Sequence, residues 1–372
     1  MHPFWALTAE QLPNRVSAAI SLSPAESINS LMKLLSYFLV FFLSFQFSRQ
    51  SDKATITFNT LAYVGAAYAL YGLIAFWGDY KALFWFEKTA YLGNVTSTFI
   101  NRNSFATYAG LSLLCLFPLL FRRIESSLIY GVKNYFGLQY FIEHFIIKAW
   151  LPLLMLSIIL TALFLSHSRG GFLSSLFAIT VFLITSLLAG KLKKGKSLLM
   201  LVALLSIITF SFWNSSDKLI ERMDNIQLTK ETNGRIAVYA ILNQAIAENP
   251  WLGTGYGSFE KSFRLYRNQS IRAYYTAAHN TYLENIFELG ILPTLALCIA
   301  ILLIAIRCLQ GIWTRKRYWY YPAIGFSATL LVGVHSLVDF SLQIPAVAYT
   351  YATLLGAAFA QSLSRSQRLA NY

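Results

Sequence analysis

Arg102, Arg169, Arg235 and His279 are the side chains whose types and settings could do chemistry together. Arginine clamps phosphate oxygens through a planar fork of N–H donors. A neutral imidazole can take a proton from a hydroxyl near neutral pH. Arg169 sits in "FLSHSRGGFL", between two apolar runs with almost no loop, at or just inside a membrane boundary. It can snorkel to lipid phosphates. It can equally build an anion site with Ser166 and Ser168, the two glycines letting neighbouring backbones approach closely. Arg102, in "FINRNSFATY", is either an interfacial anchor beside a helix capped by Ser104 or a further phosphate ligand. Arg235, in "TNGRIAVY", is placed by sequence in the first turn of a helix. A cation there opposes the helix dipole, and an anion bound at the same terminus would reverse the sign; surface placement without purpose is the other reading. His279 opens "HNTYLENIFELGILP" as a solvated loop histidine ahead of a helix capped by Asn280, or as a general base. His335 and Asp339, in "HSLVDFSLQIP", are one helical turn apart and can pair at i,i+4 or line a polar cavity.

Nothing in the chain has the pattern of a P-loop, a zinc site or a serine triad. No paired acidic cluster offers a divalent-metal site, and Cys115, Cys298 and Cys308 lack metal-ligand spacing and read as packing residues. The chemistry favoured is group transfer from a membrane-embedded phosphorylated donor, outside the cytoplasm, without ATP, metal or cofactor. An assembly subunit that only recruits enzymes would tolerate loss of any one of these residues. A flippase or other transporter would need the cations but no base at His279, and would line a through-path with them.

The elements that must position these groups are membrane helices. The chain has 372 residues, 56% hydrophobic and only 12% charged. Continuous apolar runs recur, which argues for helices over a transmembrane barrel. About nine spans are expected, near 28–48, 54–77, 103–121, 149–167, 170–189, 197–213, 282–306, 320–338 and 344–363. The net charge of +14 is explained by basic clusters in every second connection, not by nucleic-acid binding. That alternation predicts a cytoplasmic C-terminus and an N-terminus outside. Such parity without a signal peptide predicts a missing beginning of about three spans; a genuine N-out protein is the alternative. The whole chain, 1–372, is expected to form one integral membrane domain, with 214–281 as a large outer loop. In that loop "GRIAVYAILNQAIAENP" predicts an amphipathic helix ending at Pro250, and "WLGTGYGSFE" a glycine-rich turn. "SFEKSFRLYRNQSIR" predicts a second, basic helix at the membrane surface.

"SRGG" closing one span, then "NGR", "NPWLGTGYGSF", "HNTYLENIFELGILP" and "HSLVDFSLQIPA" together resemble the bacterial O-antigen ligase / O-antigen polymerase superfamily. The resemblance runs from about Asn101 onward and rests on the order and spacing of motifs that are individually weak. It implies an all-α polytopic bundle, of about twelve spans in typical ligases, in the bacterial inner membrane. It also implies an active site facing the periplasm. The implied donor is a glycan on undecaprenyl diphosphate and the implied acceptor a hydroxyl. That hydroxyl belongs to lipid A–core in a ligase, to another lipid-linked repeat in a polymerase, and to a protein in an O-oligosaccharyltransferase. Carried onto this chain, His279 is the general base and Arg169, Arg235 and Arg102 hold the diphosphate. Asn280, Ser168, His335 and Asp339 support them, and no metal is required.

Overall fold

The structure is a computed structural model that describes residues 2, 4–11, 19–84, 86–122, 137–192, 226–268, 271 and 273–364, with backbone alone at 83 and over 137–148 and 226–233. The expected span near 197–213 lies outside the described residues. The elements are α1 (Phe4–Gln11), α2 (Pro24–Phe47), α3 (Ser51–Trp77), a short ribbon of β1 (Ala82–Leu83) and β2 (Phe86–Glu87), α4 (Arg102–Cys115), α5 (Gly137–Leu165) and α6 (Arg169–Leu188). They continue with α7 (Ile226–Glu248), α8 (Phe259–Tyr266), α9 (Thr281–Leu289), α10 (Ile291–Thr314), α11 (Tyr320–His335), a 3-10 turn (Ser341–Gln343) and α12 (Pro345–Leu363). Among the described residues five stretches are long and apolar enough to cross a membrane: Pro24–Phe47, Ser51–Trp77, Arg102–Arg122, Arg169–Leu188 and Ile291–Thr314. The protein is an all-α polytopic membrane protein.

The chain packs as two units. One comprises Val40–Leu201, Ile304–His335 and Ser341–Tyr372. Its centre is α4, whose residues Ser104 to Cys115 are all buried among α3, α5, α6, α11 and α12. Membrane helices gain little from hydrophobic transfer between themselves, so close approach through small residues carries the packing. A Cβ on Gly110 would collide with Ser175 of α6, and one on Gly325 with Ala358 of α12. Hydroxyls bond inward where the backbone leaves acceptors: Thr55 Oγ1 lies 2.6 Å from Tyr321 Oη, and Ser175 Oγ donates to the Gly171 carbonyl at 2.7 Å. The helix starts follow their caps. Asn101 Oδ1 accepts from the Asn103 N–H at 2.7 Å. It is Asn101, not Ser104, that caps α4; Ser104 Oγ is buried without a partner.

The other unit comprises Met1–Leu39, Val202–Leu303 and Ser336–Phe340. Here α7, α8 and α9 share an apolar core of Val238, Leu242, Ala245, Phe259, Phe263 and Phe287. Three sequence expectations change. The surface helix expected at 258–272 is only α8, and its apolar face, Phe259 and Phe263, is spent on Phe287 rather than on lipid. The single span expected at 282–306 is two helices, α9 and α10, parted at Gly290; Pro293 is harmless because it falls in the first turn of α10. The loop helix begins at Ile226, so Arg235 lies mid-helix, not in the first turn, and the helix-dipole argument for an anion there falls. Asn233-Gly234 reads as a turn ahead of the helix, yet the helix runs through it. The bare Gly234 Cα faces Tyr275 Oη, which occupies the space a side chain would take.

Candidate active site

Three of the expected residues meet at the start of α9. Asn280 is its N-cap, with Oδ1 accepting from the N–H groups of Tyr282 and Leu283 at 3.0 and 3.1 Å. The residue before the cap is His279, held at φ +56, a left-handed conformation that costs a non-glycine residue about 1–3 kcal/mol and persists only where its surroundings over-determine it. The surroundings do so. Glu284, one turn into α9 and buried, accepts from the Ala278 N–H at 2.6 Å. Tyr239 of α7 donates its phenol proton to the His279 carbonyl at 3.0 Å. Thr281 straps the segment 336–340 to the same corner: its N–H donates to the Ser336 carbonyl and its Oγ1 to the Asp339 carbonyl, both at 2.9 Å.

The strap delivers Asp339. Its carboxylate is 1% exposed and Oδ1 lies 3.8 Å from His279 Nδ1, while the imidazole keeps 20% exposure. That separation exceeds a hydrogen bond, and Nδ1 has no hydrogen-bond partner. The ring stands edge-on to Phe340, centroids 4.9 Å apart. A carboxylate on this side favours a proton on Nδ1, which leaves the Nε2 lone pair as the basic position. Arg235, one turn before Tyr239 on α7, reaches the Val338 carbonyl with Nη1 at 3.5 Å. Burial raises the Tyr239 pKa, with Arg235 opposing and Asp339 adding to the rise, so the phenol keeps its proton and stays a donor.

The helix α11 ends at His335, so Asp339 is not its i+4 neighbour on a helix as the spacing suggests. It sits in the following turn and faces His279. The backbone turns there because Ser336 and Asp339 carbonyls are taken by Thr281.

His335 and the remaining expected residues belong to the α4-centred unit. His335 Nδ1 lies 2.7 Å from Thr107 Oγ1, which donates to Ser341 Oγ at 3.0 Å. Ser168 caps α6, accepting from the Gly171 N–H at 3.3 Å and donating to Asn103 Oδ1 at 2.7 Å. Arg169 is the next residue, in the first turn of α6, with its side chain exposed. Arg102 opens α4 and lies over the Tyr91 ring at 5.3 Å, with Nε buried and unpartnered. His167, at φ +53 between Ser166 and Ser168, places Nδ1 3.0 Å from Asn94 Oδ1.

Sequence reasoning passed over Tyr239, Glu284 and Glu288. The signal for the two glutamates was there: acidic residues four apart share one face of a short helix, and in the structure that face is buried. Glu288 Oε2 accepts from Gly257 N–H at 2.8 Å and Oε1 from Phe259 N–H at 2.7 Å, so it caps α8 in place of Ser258, whose side chain makes no cap bond. Burial pushes the Glu288 carboxyl up to about 7 from 4.5, against the two N–H bonds that pull it down. The folded unit therefore holds this proton more tightly than the unfolded chain does. The stability it contributes is fully present below about pH 4.5 and is lost as pH rises through about 7. Hydrogen exchange of the 254–266 amides, corrected for intrinsic rates, should be faster at pH 8 than at pH 5, and Glu288→Gln should flatten that difference. Equal protection at both pH values in the wild type would remove the argument.

Residues 154–298 match the family model described as O-antigen ligase. The matched stretch holds Ser168, Arg169, Arg235, His279 and Asn280, whereas Arg102, His335 and Asp339 lie outside it. No curated protein matches the chain.

Proposed function

We propose that this chain, whose residues 154–298 match the family model described as O-antigen ligase, is a glycosyltransferase of the O-antigen ligase or polymerase type that ligates a glycan from undecaprenyl diphosphate to lipid A–core. In this reading it is one integral domain of the bacterial inner membrane, 214–281 is its periplasmic loop, and the site faces the periplasm. The observation that carries the reading is the His279–Asp339 pair, 3.8 Å apart, held on the same unit as Arg235. His279 Nε2 takes the proton of the acceptor hydroxyl. The hydroxyl oxygen forms a bond to the anomeric carbon as the bond from that carbon to the diphosphate oxygen breaks. The electron pair leaves on undecaprenyl diphosphate, and attack from the opposite face inverts the centre. Diphosphate is a fair leaving group, so charge neutralisation and positioning supply most of the rate, without a metal. Arg235 meets the developing charge. Arg169 and Arg102 are the proposed phosphate ligands of the α4-centred unit.

Reconstitution in proteoliposomes with the lipid-linked glycan and lipid A–core tests this. The wild type should form inverted product in the presence of EDTA. Arg235→Ala should lower kcat/KM for the donor about 10- to 100-fold, the worth of a charge-assisted contact of about 1.5–3 kcal/mol. Arg235→Lys should not restore it, because a point charge does not reproduce the fork. Absence of product from the wild type with lipid A–core would overturn the ligase assignment. Product with a second lipid-linked repeat or a protein would reassign the acceptor.

A further inference from the structure

The base proposed above does not set its own aim. A side chain leaves the backbone in the direction that φ and ψ dictate, and His279 is at φ +56. Relaxing to the ordinary negative-φ regions would turn the Cα–Cβ bond away and take Nδ1 off Asp339. No local cause holds the residue there. Histidine is several-fold enriched in this region among non-glycine residues yet remains uncommon there, and its Nδ1 has no hydrogen bond to compensate. Beside the Asn280 cap and the Thr281 strap, two side chains bond the backbone around it, one at the residue before and one at its own carbonyl. Glu284 accepts from the Ala278 N–H at 2.6 Å, and Tyr239 donates to the His279 carbonyl at 3.0 Å.

Resting on that reading of His279, we propose that Tyr239 and Glu284 are positioning residues, a backbone clamp that fixes the left-handed His279 and so presents Nδ1 to Asp339 and Nε2 to the acceptor. Neither needs to touch the substrate. Tyr239 has a second consequence. It lies one turn after Arg235 on α7, so the helix that carries the donor-binding cation also carries the bond to the base. A shift of α7 when Arg235 takes up a phosphate reaches His279 through one hydrogen bond. The 3.8 Å separation of His279 and Asp339 is the distance that such a shift would close, as loosely aligned dyads do when substrate arrives.

The two bonds differ in what they require, which makes the clamp testable. Tyr239 must donate, so Tyr239→Phe removes its bond while keeping the ring in the core. Glu284 must accept, so Glu284→Gln retains an oxygen for the Ala278 N–H and Glu284→Leu does not. The experiment is histidine-selective NMR of the full chain in detergent micelles or nanodiscs, with the His279 signal assigned by its loss in His279→Asn, beside the transfer assay. In the wild type the imidazole should hold its proton on Nδ1. Tyr239→Phe should move the ring toward a mixed tautomer population and shift the acid limb of the pH–rate profile. It should lower kcat about tenfold, the worth of one net hydrogen bond, with donor KM within about twofold of wild type. Glu284→Gln should stay near wild type in both readouts and Glu284→Leu should not. If Tyr239→Phe leaves the tautomer and the pH profile unchanged, or acts on donor KM alone, the clamp is wrong. If the tautomer moves while the wild type transfers no glycan, the clamp stands and the transferase reading fails.

Discussion

His279→Asn is expected to lower glycan transfer by about 10²- to 10⁴-fold, the range that a positioned general base contributes, while the protein folds as before. Asparagine is the right replacement because the position is left-handed, at φ +56. Asn is one of the few non-glycine residues at home there, whereas alanine would add a backbone penalty to the chemical loss. Little packing is lost, since the imidazole is partly exposed and, among the described residues, its one ring contact is with Phe340. Thermal unfolding in detergent should therefore shift by no more than a few degrees, corresponding to about 1 kcal/mol. Added imidazole should restore part of the rate if the missing group is a base, because the cavity left by the ring is open on its exposed side. Full activity in His279→Asn would refute the base. A fold that collapses together with activity would show that the residue is structural.

How much of this was legible beforehand depends on whether the information is local. The helices from α2 to α6 announce themselves as apolar runs of membrane length, and the cap Asn280 as a short polar residue just ahead of α9; Ser168 reads as a hydroxyl donor and proves to be the cap of α6. Gly290 followed closely by Pro293 is a break signal, but the apolar run around it carries the expected span straight across. What one strand of text cannot carry is the partner across a fold. Asp339 follows His335 by four residues and invites a helical pairing, but the helix ends at His335 and the carboxylate turns to a histidine sixty positions upstream. Arg235 reads as a first-turn residue because Asn-Gly marks a turn just ahead of it, and only Tyr275, packed on Gly234, explains a glycine inside α7. Glu284 and Glu288 read as misplaced charges at the mouth of an apolar helix. Each is spoken for by backbone N–H groups, of Ala278 for one and of Gly257 and Phe259 for the other.

Gly290→Ala should destabilise the unit that holds the site by about 3 kcal/mol, the sum of a backbone penalty and an overpacking penalty. Gly290 ends α9 at φ +82 and ψ 173, a region that is essentially reserved for glycine and costs other residues about 1–3 kcal/mol. Space is short as well. A Cβ would sit 2.5 Å from the Trp251 carbonyl carbon and 3.0 Å from Leu252 N, both backbone atoms that cannot swing aside. The reciprocal contact is just as tight: a Cβ on Gly253 would meet the Glu288 carbonyl carbon at 2.5 Å and Gly290 N at 2.7 Å. The two glycines face one another because the last carbonyls of α9, which have no partner inside the helix, are taken by the glycine-rich turn. Thr254 N–H donates to Phe287 at 3.0 Å and Gly255 N–H to Glu288 at 2.8 Å, while Ile291 N–H returns a bond to Pro250 at 2.8 Å. Prising the strands apart loses these bonds together, and with them the Glu288 cap on α8. Limited proteolysis should then cut between 250 and 268 in Gly290→Ala at protease levels that leave the wild type intact, and transfer should fall with it. Ser at the same position should fail in the same way, because the obstacle is the Cβ and the dihedral, not polarity. A Gly290→Ala protein that resists the protease like the wild type would mean that α9 and the turn are not interlocked through their backbones.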